Sequence, residues 1–131
     1  MYFGLSEEQQ FFQESIDKFL EDTVTVDALR SYRTGEDDNL IDDVFNGLNE
    51  LGLSGLIIPE EYGGLGLDSL FAISVSESLG RGVAPYPFIG SFLIAPFLIN
   101  KLGSDSQKQK YLPSIANGEY RFAVALTEMT G

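Results

Sequence analysis

No side chain in residues 83–100 is charged. An uncharged run of that length invites a membrane-spanning reading. Three prolines argue against it: Pro85, Pro87 and Pro96 interrupt the run, and Gly90 with Ser91 weakens it further. Only residues 88–99 remain as a compact apolar block, the length of a buried core helix. The chain is therefore expected to bury one wholly apolar helix, which other amphipathic elements must cover. Pro87 suits its first turn, and Pro96 predicts a kink or a split within it.

The flanking sequence supplies those elements. Ser6 and Gln9 form a capping-box pattern ahead of Phe12, Ile16, Phe19 and Leu20 at helical spacing, which predicts a helix over 7–22. Residues 27–32 read as a short turn, and 34–38 as a polar break. Asn39 is placed to cap a second helix with Leu40, Val44, Phe45, Leu48 and Leu51 on one face, ended by Gly52. Asp68 is placed to cap a third, with Phe71, Val75 and Leu79 in a stripe and small serines at 74, 76 and 78. Gly103 ends the apolar helix, and Ser104 with Gln107 repeats the capping box. Pro113 is expected to stop the following helix or open a final turn, closed by Asn117-Gly118. Phe122, Val124 and Leu126 then alternate with Ala123, Ala125 and Thr127, the period of a strand. A lone strand leaves backbone groups unpaired on both sides. The expected fold class is all-α: an antiparallel helical domain of about six helices over residues 1–120, with 121–131 as the first strand of an absent β domain.

Composition narrows the chemistry. With neither cysteine nor histidine in 131 residues, disulfide scaffolds, thiolate nucleophiles, Cys/His zinc sites and Ser-His-Asp triads are excluded together. No metal site is expected. The hydrophobic content of 44% suffices for a real core and excludes disorder. Residues 1–61 hold 15 acidic and 3 basic side chains, a balance of −12, whereas 62–131 hold 5 of each. An acidic half repels nucleic acid and anionic membranes, so neither is an expected partner. No basic region precedes an apolar run at the N-terminus. Together with the lack of cysteine, this suggests a cytoplasmic location, or the mitochondrial matrix in a eukaryote.

Few residues offer chemistry of their own. Gly64-Leu65-Gly66-Leu67-Asp68-Ser69 is a poor dinucleotide fingerprint, because the last position is serine and no βαβ unit surrounds it. Glycines in a tight connection explain it better. Glu60 and Glu61 read as solvated loop acids, since adjacent carboxylates rarely converge on one substrate. Lys108, Lys110 and Arg121 read as surface charges.

Several strings in register carry more. The segment 51–64, Leu-Gly-Leu-Ser-Gly-Leu-Ile-Ile-Pro-Glu-Glu-Tyr-Gly-Gly, is followed in order by Gly103-Ser104, Gln107-Lys108, Lys110-Tyr111-Leu112-Pro113, Gly118-Glu119 and Ala123-Val124-Ala125-Leu126-Thr127-Glu128. Over residues 5–129 the chain resembles the N-terminal helical domain of flavin-dependent acyl-CoA dehydrogenases. The resemblance implies FAD as cofactor, an acyl-CoA substrate desaturated at its α,β bond, an electron-transfer flavoprotein as partner, and a homo- or hetero-oligomer. It makes Val124, Ala125, Leu126 and Thr127 candidate flavin contacts, because flavin electronics are tuned by hydrogen bonds to ring heteroatoms and small residues let the backbone come close. It also places Phe88, Ile89, Gly90 and Ser91 at the wall of the acyl pocket. No catalytic residue is expected in this chain, since in the family the base comes from a later domain. After Thr127-Glu128 the family carries proline, where this chain has Met129. A non-catalytic partner subunit or helical binding module of the same fold is the alternative.

Overall fold

The computed structural model describes residues 4–125 and 127. It is all-α, with α1 at Glu7–Thr23, α2 at Val26–Thr34, α3 at Leu40–Glu50, α4 at Ser69–Arg81, α5 at Ala95–Leu102 and α6 at Asp105–Ala116. Two 3₁₀ turns lie at Leu53–Gly55 and Glu60–Tyr62, and Ile89–Ile94 is π-helical. The elements fall into two compact units. The first holds residues up to 51 together with 68–86, and the second holds 52–67 and the chain from 87 onward.

Local chemistry sets most helix starts. Ser6 Oγ accepts from the Gln9 amide at 3.1 Å while Gln9 Oε1 accepts from the Ser6 amide at 2.9 Å. Ser104 and Gln107 repeat the reciprocal pair at 3.3 and 2.8 Å. Each box satisfies two amides that the first helical turn leaves without partners. Asp68 Oδ1 caps α4 through the Phe71 amide at 2.9 Å. Thr25 Oγ1 does the same for α2 through Ala28 at 3.1 Å, so the short turn expected at 27–32 is a nine-residue helix. Asn39 precedes α3 without capping it through its side chain; its own amide is taken by Asp37 Oδ1 at 2.9 Å.

In the first unit α1 packs against α3 and α4, and α2 against α3. Ile16, Leu20, Leu40, Val44, Phe45, Leu48, Phe71, Val75 and Leu79 are among its buried apolar side chains and belong to the stripes that the periodicity picks out. The α1–α4 pair runs parallel. Phe12 meets Phe71 edge to face at 5.2 Å, Gln13 Nε2 donates to the Ser74 carbonyl at 2.9 Å, and Asp17 pairs with Arg81 at 2.9 Å. Short loops make sequence neighbours antiparallel, whereas α1 and α4 are joined by a long excursion and are free of that constraint.

The end of α4 solves two demands with two residues. A side chain at Gly82 would drive a Cβ into Leu20, whose own Cβ would lie at 2.9 Å. The left-handed residue that closes the helix is not this glycine but Val83, at φ 52°. The Val83 amide bonds to the Gly80 carbonyl at 3.2 Å and the Ala84 amide to that of Leu79 at 3.0 Å. A β-branched residue in this region is strained.

The second unit is built from less regular pieces. Ile58, Leu112 and Ile115 form its core cluster, with Tyr62, Ile99, Ala116 and Phe122 packed against it. The glycine-rich loop folds back onto the first 3₁₀ turn, where Leu65 donates to Gly55, Gly66 to Ile58 and Leu67 to Leu56 at 2.8–2.9 Å. Ser54 Oγ ties that turn to the Ala116 carbonyl at 2.9 Å. The split that Pro96 suggests does not occur: helical backbone runs unbroken through it from Phe88 to Leu102, and what changes there is the hydrogen-bond pattern. The π-helical stretch ends at Ile94, the Ala95 amide reaches back five residues to the Gly90 carbonyl, and α5 begins with Pro96 in its first turn.

Two expectations are corrected here. Pro113 neither stops α6 nor opens a new turn; it lies inside the helix, which continues to Ala116. The carbonyl it leaves without a donor belongs to the exposed Gln109, where water can replace the bond. The strand expected over 122–127 is absent among the described residues, because 121–125 and 127 are irregular backbone. A period-two pattern becomes a strand only where a second strand pairs with it. Among the described residues no helix is long and apolar enough to cross a membrane.

Candidate functional site

Gly103 breaks the chain after α5, and the capping box at Ser104 starts α6 at once, so α6 folds back against α5. Beyond Asn117 and Gly118, Phe122 returns to this hairpin and sets its ring edge to face on Tyr111 at 5.5 Å. Between α5, α6 and the returning segment lies an open groove of about 510 Å³. Ala95, Leu98, Ile99 and Leu102 form one side, Gln107 and Tyr111 the other, and 122–125 the third.

Among the described residues no lining side chain is charged. The nearby ammonium groups of Lys101 and Lys110 sit over aromatic rings, 6.0 Å from the centre of Phe97 and 5.0 Å from that of Tyr111. Such placements are favourable by roughly 0.5–1 kcal/mol at exposed sites. Leu102 on this wall is 80% exposed, and Phe97, on α5 but outside the lining, is 51% exposed. Leucine and phenylalanine on a helix face at that exposure mark a surface made to be covered. Along 122–125 no backbone hydrogen bond joins the segment to another described residue. Its N–H and C=O groups are uncommitted toward the described residues, and Ala123 and Ala125 carry little side-chain bulk there.

The sequence-predicted residues divide accordingly. Val124 and Ala125 line the groove. Thr127 is exposed, and Leu126 lies outside the described residues. Phe88, Ile89, Gly90 and Ser91 are not part of the groove lining; Phe88 caps the π-helical stretch and the other three are its first residues. Phe88 is buried against Phe92, edge to face at 5.7 Å. Ser91 is buried, and Ile89 points largely to solvent at 57% exposure. Gly90 is half-buried, yet a Cβ placed on it would meet no atom within 4 Å.

The glycine-rich loop is a structural connection. Gly63 and Gly66 have positive φ, and a Cβ on Gly64 would run into the Ile58 carbonyl. The loop's amides are spent on its own backbone, which leaves no cradle for a phosphate. Glu60 and Glu61 are exposed. Tyr62 between this loop and α6 has its hydroxyl pKa raised, first by burial and then by the negative charges of Glu61 and Asp105.

Leu98, Leu102, Gln107 and Tyr111 were not expected as site residues, although Gln107 stands in a capping box and both Gln107 and Tyr111 in the strings that carry the family resemblance. The available signal was modest: Gln107 and Tyr111 are one helical turn apart, and Leu102 is a bulky apolar residue directly before the helix-ending Gly103.

Residues 6–119 match the family described as acyl-CoA dehydrogenase, N-terminal domain. Mitochondrial isovaleryl-CoA dehydrogenase of Pongo abelii is 34% identical over 129 residues, covering 95% of this chain and 30% of that protein. Among solved structures, an acyl-CoA dehydrogenase complexed with FAD from Bacillus anthracis superposes with a TM-score of 0.82 at 32% identity, over 97% of this chain and 22% of that one. A Tcur3481-Tcur3483 steroid acyl-CoA dehydrogenase variant gives 0.80 at 32% identity, over 94% and 33%. The chain thus spans a third or less of each of these relatives.

Proposed function

Because this chain belongs to the acyl-CoA dehydrogenase N-terminal domain family, we propose that it serves as the helical opening part of an FAD-dependent acyl-CoA dehydrogenase. In this reading, residues 1–120 are the helical domain and 121–131 begin the flavin-binding β domain. The observation that carries it is the family match over 6–119 together with the segment 122–125 that follows, whose backbone bonds to no other described residue and which carries alanine at 123 and 125.

The described residues suit a flavin in kind. An isoalloxazine ring needs donors and acceptors for its heteroatoms and an apolar surround. The 122–125 backbone supplies the former and the uncharged groove the latter. Val124, Ala125, Leu126 and Thr127 would hold the ring edge, with the Thr127 hydroxyl as donor. When bound, the flavin supplies the acceptor for the hydride lost from the β-carbon of the acyl thioester. This chain's part is to hold and orient; the base for the α-proton is assigned to none of its residues. Electrons would leave through an electron-transfer flavoprotein, and a cytoplasmic or matrix location fits that partner.

Phe88, Ile89, Gly90 and Ser91 would form the acyl wall. Open space around Gly90 argues against a role in close helix packing and for one in leaving room. A long, branched or ring-bearing acyl group follows, and the branched acyl group and the steroid named for two relatives agree with it. The two-component name of the steroid enzyme favours a second reading, a hetero-oligomer in which this chain is the non-catalytic partner.

Gly90→Leu in the complete protein tests the acyl wall. Selective loss on long or bulky thioesters, with short ones spared, is expected at about 10- to 100-fold in kcat/KM. Equal loss on all substrates would remove these residues from the pocket. Thr127→Val should alter the flavin absorption spectrum or potential, and an unchanged spectrum and potential would remove Thr127.

A further inference from the structure

The helix that carries the acyl wall changes its hydrogen-bond register once. At its start the Ser91 amide bonds to the Pro87 carbonyl, four residues back, at 3.1 Å. At its end the Gly103 amide bonds to Ile99, also four back, at 2.9 Å. Between them the Ala95 amide bonds to Gly90, five back. The π-helical stretch thus accommodates one residue more than an α-helix would between the two ends.

Pro96 stands where the register returns to α. It has no N–H to give, and in an α-helix its ring would meet the carbonyl of Phe92, four residues before it. A wider preceding turn relieves that clash. Pro96 is also among the fully buried side chains, so it cannot swing away to relieve the clash otherwise.

The extra residue has a consequence for the wall. With α5 held fixed, an α-register would pair Ala95 with Ser91, turning the preceding residues by about 100°. Ser91 would take the place of Gly90, and Phe92 that of Ser91. A hydroxymethyl and a benzyl group would then stand where a hydrogen and a hydroxymethyl stand now. We propose that Pro96 is a positioning residue: it holds the π register that turns Gly90 toward the acyl chain and so sets the size of the group admitted. This rests on the reading of Phe88, Ile89, Gly90 and Ser91 as the acyl wall.

The test is Pro96→Ala, with Pro96→Ser as a second restored N–H should the first fail to fold, each in the complete protein. The expected result has two parts. A crystal structure shows the Ala95 amide bonded to Ser91 in place of Gly90. Alongside it, kcat/KM for long or branched thioesters falls about tenfold relative to a four-carbon thioester, with kcat for the short one retained. Retention of the Ala95–Gly90 bond in both variants overturns the proposal, because the π register then owes nothing to Pro96. A shifted register with unchanged selectivity also overturns it. Gly90→Leu separates the two readings: if it narrows selectivity while the shifted register does not, the wall stands and the positioning role alone falls. If neither variant changes selectivity, both fall.

Discussion

Gly82 in the first unit and Gly90 in the second both lie at the edge of a helix, and they are glycines for opposite reasons. At Gly82 the hydrogen is all that fits, because Leu20 of α1 occupies the space where a side chain would begin. At Gly90 nothing occupies that space. The first glycine is a consequence of packing, and the strained Val83 follows it directly. The second has no packing partner, and a helix glycine without one is disfavoured by about 1 kcal/mol unless something else requires it. The contrast extends to the units. The first is made of ordinary capped helices around buried stripes, and the second concentrates 3₁₀ turns, a π-helical stretch and an uncovered groove. Departures from regular structure gather where a protein has work beyond its own stability.

Substitutions can break this contrast. The largest effect is expected at Gly64, where a Cβ would strike the Ile58 backbone, which cannot yield as a side chain can. Gly64→Ala should lower stability by about 3 kcal/mol in denaturant unfolding, and an unchanged midpoint would show that this loop is not the tight connection described. Next comes the pair at the end of α4. Gly82→Ala should destabilise by about 1–2 kcal/mol by pushing on Leu20, whereas Val83→Gly should stabilise by about 1 kcal/mol by releasing the left-handed strain. If Val83→Gly destabilised instead, side-chain contacts of Val83 would outweigh its backbone conformation. The smallest effect concerns pH. The folded state raises the Tyr62 pKa above its usual value near 10, so folding favours the protonated hydroxyl. Stability from this source is intact below the unfolded value and is lost as pH rises through the folded one. Tyr62→Phe should flatten the alkaline decline in Tm; an identical decline would assign it to other groups.

Several elements were legible because their causes are local. The capping boxes at Ser6 and Ser104 need only residues three apart, and the Asp68 cap likewise. The stripe of Phe71, Val75 and Leu79 is buried because its spacing puts it on one face. Even the change of hydrogen-bond pattern beside Pro96 is tied to one missing N–H. The failures share a different cause. Pro113 reads as a helix breaker until the carbonyl it orphans is seen to belong to the exposed Gln109, and 122–127 reads as a strand, although no second strand is present among the described residues to pair with it.

The sequence by itself determined the all-α class, the helix boundaries at their caps, and the family, since each depends on neighbours along the chain or on motifs in order. Tertiary structure alone decided the parallel run of α1 and α4, the left-handed turn at Val83, and the groove where Leu102, Tyr111 and Ala125 meet. These depend on which distant surfaces occupy the same space. A residue's own spacing and propensity say nothing about the atom that arrives opposite it.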